Sequence, residues 1–501
     1  MASHFAEPIS ARLSMWQRVR EYAVPPSMIE TATARRVTGD WAGACAAARV
    51  DVDLDLRAVR VRHGTDLAAR LRDDLRRLAP DLLRWHMPRI APDGRLRPGL
   101  TFSLARYGGQ GDAVAHLVVR TPPAWADAGQ RMSLALWEES REDVPRHHPH
   151  PHPDRRFRLD LHRHLWDGTR GAELALRCGD ADVPYGPGGH GPPELPSRWA
   201  AEAEVLLRSE GRSRGALTVR LGARRRAVLE LVAPDDSHVP VLRTVREGMS
   251  QQRIAALPVL PEAAVRVLPD LELVRAGLFR VDRLHPLVAA ALSASGLASP
   301  SGSSAGRAGA AAAGPRRGPG PDVGQDAHLP RGQEARPDDG SSDPHRVECR
   351  GEVHRIALRD GVLAAVDHDA AQLAREDLLR ALGGPVLPCL RAIDTVHHSP
   401  EALPAVRERL GHGDVRGALA VVEGLLGPGA VLRDGPLRDV LEGAVAGRVG
   451  HGLFRSGLVP VHPAADVGRE DGFRPRLDRH LPRVLRRKRG SRTRPRTGLS
   501  S

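Results

Sequence analysis

The chain has 501 residues, 41% of them hydrophobic but only 3% aromatic, and a net charge of +13. That length exceeds one ordinary core and leads us to expect roughly two to four domains. Of its 74 basic residues one is lysine (Lys488), the rest are arginine, and there is no asparagine, which excludes a P-loop lysine, a Schiff-base lysine and a kinase-type strand lysine from the body of the protein.

Lysine and asparagine codons are AT-rich, so this composition marks a GC-rich genome and much of the arginine reflects mutational bias. The N-terminus, MASHFAEPISARLSMWQRVREYAV, carries charges throughout and has no apolar h-region, so no secretory signal is expected. No uncharged apolar run is long enough to span a membrane, and the expected location is cytoplasmic. Residues 1–90 read as helical. Ser27-Met-Ile-Glu30 has the form of a capping box and Gly39 of a C-terminal stop. Leu67, Leu71, Leu75 and Leu78 make a helical stripe that ends at Pro80. All seven tryptophans fall within the first 200 residues, where the best-packed structure is expected.

From about residue 98 the pattern changes to strands: TFSLARY, AVAHLVV, RMSLALW, RFRLDLHRHLW, then ALTVRL and RAVLELV, with a helix starting near Ser197. His147, His148, His150 and His152 alternate with prolines. Alternation along an expected strand 157–165 places Asp160, His162 and His164 on one face, where imidazoles and a carboxylate could hold zinc. Histidine–proline tracts are usually loops, and alternation also puts these polar groups on the wet face of a sheet. The sequence therefore assigns no metal, no cofactor and no catalytic residue. The glycines at 186–191 are interrupted by prolines and lack the GK[ST] ending of a phosphate loop. The four cysteines (Cys45, Cys178, Cys349, Cys389) are far apart, with no CxxC, which excludes a local zinc knuckle and argues against a disulfide framework.

Residues 295–345 hold almost no large apolar side chain and read as a disordered linker. The GxSxG match at 302–306 falls inside it, without the strand–turn–helix context of a nucleophile. Beyond it, 354–366 is a hairpin with Asp360-Gly361 at the turn. Asp369 caps a helix that stops at Gly383-Gly384, and Ser399-Pro400-Glu401 starts another. In GDVRGALAVVEGLL (413–426) a glycine–aspartate turn leads into a helix, with Leu419, Val422 and Leu426 expected to face the interior. Gly39-Asp40-x-x-Gly43-Ala44-x-Ala46 has the same pattern as Gly413-Asp414-x-x-Gly417-Ala418-x-Ala420.

Arg433-Asp434-Gly435 and, 37 residues on, Glu470-Asp471-Gly472 frame a helical stretch. Residues 413–472 thus resemble degenerate ankyrin repeats, whose units run turn, helix, loop, helix at a period of about 33. The Thr-Pro-Leu-His tetrapeptide of that family is replaced by Arg438-Asp439-Val440-Leu441 and Pro475-Arg476-Leu477-Asp478. The resemblance implies a stacked surface offered to a protein partner, with Arg433, Asp434 and Gly435 as the interaction turn.

Residues 472–501 carry eleven basic side chains and one acid, leaving the rest of the chain at only +3. Nucleic acid would therefore be attracted through this tail alone, and Phe473 is its only aromatic side chain. The expected organisation is an α+β module at 1–294 (helical 1–90, strand-rich 98–290, mostly antiparallel), the linker 295–345, a mainly helical module at 346–471 with ankyrin-like hairpins, and the basic tail 472–501. The expected function is non-enzymatic protein–protein interaction, with an unidentified protein partner and no membrane. The alternatives are a metal-dependent enzyme or metal-binding domain in 98–290, and a nucleic-acid-associated factor acting through the tail.

Overall fold

The computed structural model describes residues 11–108, 114–138, 152–178, 198–222, 225–233, 238–245, 249–294, 346–349, 351–359, 362–398, 402–426, 431–432 and 434–458. The linker 295–345, His147, His148, His150, the loop 186–191, Arg433, the turn 470–472 and the basic tail lie outside them. The fold is α+β. Packing gathers the chain into two bodies, one formed by Met1–Ser299, His397–Gly424 and Leu432–Ser501, the other by Pro300–Val396 and Leu425–Val431. The division therefore differs from a simple cut at the linker, because the last helices return to the first body.

That body opens with helices α1 (Ala11–Tyr22), α2 (Pro26–Val37), α3 (Trp41–Ala47), α4 (Leu56–Arg77) and α5 (Pro80–His86). The leucine stripe on α4 behaves as read: Leu71 and Leu75 are fully buried, and Leu67 and Leu78 nearly so. The expected capping box does not form. Helix α2 begins on Pro26 with Pro25 at the cap position and no side-chain cap, since proline's fixed φ and missing N–H suit a first turn unaided. Strand β1 (Val50–Asp53) had no sequence signal. It pairs in parallel with β6 (Met132–Glu138), which continues antiparallel through β5 (Ala115–Arg120) to β4 (Thr101–Tyr107). A two-residue hairpin, β2 (Arg89–Ile90) and β3 (Arg95–Leu96), precedes this sheet.

Residues 157–165 correct the expectation of a strand. They form two successive 3-10 turns, Leu159–Leu161 and Arg163–Leu165, held by Trp166 Nε1 donating to the Leu159 carbonyl at 3.0 Å. Helix α6 (Gly171–Cys178) follows, and α7 (Arg198–Ser209) then packs Trp199, Ala203, Leu206 and Leu207 on the antiparallel sheet β7 (Gly215–Arg220), β8 (Arg226–Val232) and β9 (Val241–Thr244). Helices α8 (Gln251–Ala256), α9 (Glu262–Val265), α10 (Pro269–Arg275) and α11 (Pro286–Ala294) complete this part. A buried ion pair ties α1 to α10. Arg20 Nη2 lies 2.7 Å from Asp270 Oδ2, Trp85 Nε1 donates to Asp270 Oδ1 at 3.0 Å, and the guanidinium stacks on Trp16 and Trp85.

The second body contains β10 (Arg346–Cys349), β11 (Glu352–Arg359) and β12 (Val362–Ala365), an antiparallel sheet, then α12 (Ala370–Ala381) and α13 (Pro388–His398). Arg359 pairs with Val362, so the two strands of the 354–366 hairpin form, while its expected turn, Asp360-Gly361, lies outside the described residues. Asp369 Oδ1 accepts from the Ala371 amide at 2.6 Å, the expected cap of α12. Helices α14 (Leu403–Gly411), α15 (Val415–Leu426) and α16 (Pro436–Arg455) follow. Helix α16 docks on the first body through Trp125 and Phe454, whose rings meet edge to face at 5.7 Å, and through His451 Nδ1, 2.8 Å from the Ala126 carbonyl.

Candidate functional site

The two glycine–aspartate sequences fold into the same turn. Gly39 (φ +80°) and Gly413 (φ +82°) each follow a helix in the left-handed region that favours glycine. The Asp40 amide returns to the Arg35 carbonyl and the Asp414 amide to the Arg409 carbonyl, the longer bond of a Schellman closure. Each aspartate then caps the next helix, accepting from the Gly43 amide at 2.8 Å and the Gly417 amide at 3.2 Å. Each also pairs with the arginine five residues before it: Arg35–Asp40 at 3.2 Å and Arg409–Asp414 at 2.9 Å. The buried Ala44 and Ala418 stand at matching places in the second helices. An arginine five residues before the aspartate was thus a further part of the shared pattern, legible in the sequence but not used.

Both hairpins border one cleft of about 820 Å³ in the first body, whose floor includes Gly129, Arg131 and β1, with one side of α16 along its edge. Five arginines (Arg49, Arg131, Arg416, Arg448, Arg455) and His451 line it, against Asp51 and Asp414. Arg49, itself in the left-handed region at φ +60°, joins the walls. Its Nη1 donates to the His412 carbonyl at 2.8 Å and its Nη2 lies 3.5 Å from Asp414. Burial, with Arg131 and Arg416 nearby, brings this guanidinium down to about 10 despite Asp414. Asp51 is bound by Arg131 through Nε at 3.1 Å. Burial pushes the Asp51 carboxyl up, but His451, Arg131 and Arg455 outweigh it and hold it well below the usual carboxylate range. Arg455 is fixed on Asp53 by two bonds of 2.6 and 2.5 Å. Arg416 and Arg448 are exposed and have no ion-pair partner among the described residues. The cleft therefore carries net positive charge that its own acids do not neutralise.

Leu419 is a correction. It is 43% exposed and lines this cleft, whereas Ala418, Val422 and Leu426 take the buried positions of α15. Of the expected interaction turn, Asp434 is exposed and ion-paired to Arg438 at 2.6 Å, and Gly435 precedes α16. Neither borders the cleft. Arg433 lies outside the described residues.

The structure brings His162 and His164 together but leaves Asp160 apart. Asp160 is bound by Arg158 through Nε at 2.9 Å and Nη2 at 2.8 Å. The two histidines are buried, with rings 5.8 Å apart, so the wet face read from alternation is wrong for them. His162 Nδ1 lies 3.1 Å from the Arg158 carbonyl and its Nε2 3.1 Å from Glu202. Arg177 donates to Glu202 through Nε at 2.6 Å and approaches His164 Nδ1 at 3.3 Å. Burial raises the Glu202 carboxyl, but His162 and Arg177 together bring it down to about 2. Burial and Arg177 lower the His164 imidazole well below its ordinary range. A guanidinium thus already neutralises the carboxylate between the two imidazoles, which is the role a divalent ion would have taken. With Trp16, Phe157 and His86 they line a cavity of about 110 Å³. His86 Nδ1 donates towards the Leu82 and Leu165 carbonyls at 3.1 and 3.2 Å, leaving Nε2 without a hydrogen-bond partner among the described residues.

No helix among the described residues is long and apolar enough to cross a membrane. No protein-family model, curated protein or solved structure matches the chain.

Proposed function

We propose that this chain is a non-catalytic binding protein whose cleft between the two glycine–aspartate hairpins receives an acidic segment of a partner protein. The observation that carries this reading is the charge of the cleft: five arginines to two aspartates, with Arg416 and Arg448 unpaired among the described residues. A volume of about 820 Å³ suits a ligand the size of a few side chains. The exposed Leu419 adds an apolar contact beside the charge. Helical hairpins that present a common face to a partner, as the ankyrin-like pattern of 413–472 implies, favour the same interpretation. Fluorescence anisotropy with a labelled peptide rich in Glu and Asp tests it. Binding should weaken by about tenfold when Arg416→Glu and Arg448→Glu are combined, two exposed charges reversed. Wild-type protein that ignores the peptide, or a double variant with unchanged affinity, overturns the proposal. So does equal binding of an RNA oligonucleotide that both changes weaken alike.

A further inference from the structure

The second body carries a cluster that the cleft does not use. Cys349 ends β10, His368 sits in the turn between β12 and α12, and Cys389 is the second residue of α13. All three are buried, and both cysteines are free thiols. Their Sγ atoms are 3.8 Å apart, Cys389 Sγ is 3.1 Å from His368 Nε2, and the three donor atoms all lie within 4.8 Å of one another. From this geometry we infer that Cys349, Cys389 and His368 form a zinc site with a fourth position left to a water or another exchangeable ligand.

The distances decide between a metal site and a chance meeting of apolar thiols. With Zn–S of about 2.3 Å and Zn–N of about 2.05 Å, a tetrahedron has edges of roughly 3.8 Å between sulfurs and roughly 3.6 Å between sulfur and nitrogen. The observed sulfur pair already matches, the Cys389–His368 edge of 3.1 Å has to lengthen by about half an ångström, and the Cys349–His368 edge lies within 4.8 Å. A disulfide would require the sulfurs to close to about 2.05 Å. Charge points the same way. Zn²⁺ binding releases the two thiol protons to solvent, and two thiolates with a neutral imidazole give a site of zero net charge, the kind that tolerates burial. The Nε2 of His368 faces the sulfurs, so its Nδ1 carries the proton. That buried Nδ1 has no hydrogen-bond partner among the described residues, and the His354 ring stacks on His368 at 4.2 Å. The body also needs a staple. Among the described residues its buried apolar side chains are few, chiefly Ile356, Leu363, Leu387 and Ile393, while Leu378 and Leu382 are exposed, and small cores commonly rely on a metal or disulfides.

The test is elemental analysis of the full-length, untagged protein. The expected result is about one zinc per chain, lost when Cys349→Ser and Cys389→Ser are combined. Replacing the metal with Co²⁺ should give the near-ultraviolet thiolate-to-cobalt absorption, a signature that surface histidines do not produce. Should the double variant fail to fold, thiol titration of the wild type decides the matter. Cys349 and Cys389 should resist a thiol reagent until a chelator is added. Wild-type protein that takes up no zinc on loading overturns the inference, as do cobalt without the thiolate band and zinc that persists in a folded double variant but disappears when His147, His148, His150 and His152 are changed. Thiols equally reactive with and without chelator also overturn it.

Discussion

Acidification should destabilise the first body through histidines that are neutral when folded. Burial, with Arg89, Arg84, Arg95 and Arg18 around it, brings His412 down to about 3, and burial brings His86 to about 4. In the unfolded chain both titrate near 6.5. A group whose folded value is depressed leaves stability intact above its unfolded value, and stability is then lost as pH falls towards the folded one. At about pH 5 each site in the unfolded chain is mostly protonated while the folded site is not, a difference of about 1.5 pH units or ~2 kcal/mol. The two together give ~4 kcal/mol, a large share of an ordinary domain's stability of about 5–15 kcal/mol. His116, brought down to about 4 by burial, acts in the same direction. Glu202, at about 2 when folded, loses its contribution only below its unfolded value of about 4.5. Thermal melts at about pH 7 and about pH 5 should differ by roughly 10 °C or more, and His412→Gln should remove about a third of that dependence at most. A flat profile over this range, or an unchanged slope in His412→Gln, refutes the reasoning.

The matched turns should not be equally sensitive. Asp40→Ala removes a cap whose arginine partner is exposed and should cost about 1 kcal/mol, whereas Asp414→Ala also strips the half-buried Arg49 of its counter-charge and should cost about 2–3 kcal/mol in urea unfolding. On α15, Leu419→Asp should change stability by no more than about 0.5 kcal/mol because that side chain borders the cleft, while Val422→Asp buries an unpaired carboxylate and should cost roughly 3 kcal/mol or more; circular dichroism melts of the two variants separate these outcomes.

The sequence was legible where hydrophobic period matched burial. The leucines of α4, the strands β4 to β8 and the 354–366 hairpin follow from it, because one face of each element meets a core. It failed at 157–165, where Phe157, Leu159 and Leu161 alternate as in a strand. The polar residues between them are not on a wet face: Arg158 binds Asp160, and His162 approaches Glu202, all inside the protein. Alternation reads polarity as exposure and cannot see polar groups that satisfy one another. Arginine hid more. Arg20 and Arg84 are buried, yet in a chain with so many arginines nothing marks them as different from surface charge. Strand β1 is short and half acidic, so its parallel pairing with β6 had no local signature. The echo of Gly39-Asp40 in Gly413-Asp414 was visible, but that the second turn and the far ends of the first hairpin, at Pro25, Ser27, Met28, Ala46 and Ala47, border one cleft depends on how distant segments pack. The convergence of Cys349, His368 and Cys389 was invisible for the same reason.

The return of α14 to α16 to the first body has a consequence during synthesis. The sheet β4–β6 and its helices have left the ribosome by Ala294, but the helix that covers Trp125 and reaches Asp53 ends only at Arg455, roughly 160 residues later. At elongation rates of about 5–20 residues per second, that is a wait of roughly 8–30 seconds. Throughout it the nascent body displays Trp125 and the backbone of Ala126, and until His412 is made also Tyr22, without the groups that later meet them. A chaperone that binds exposed apolar surface has this interval in which to engage the chain, and slow codons in the stretch between the two segments would lengthen it.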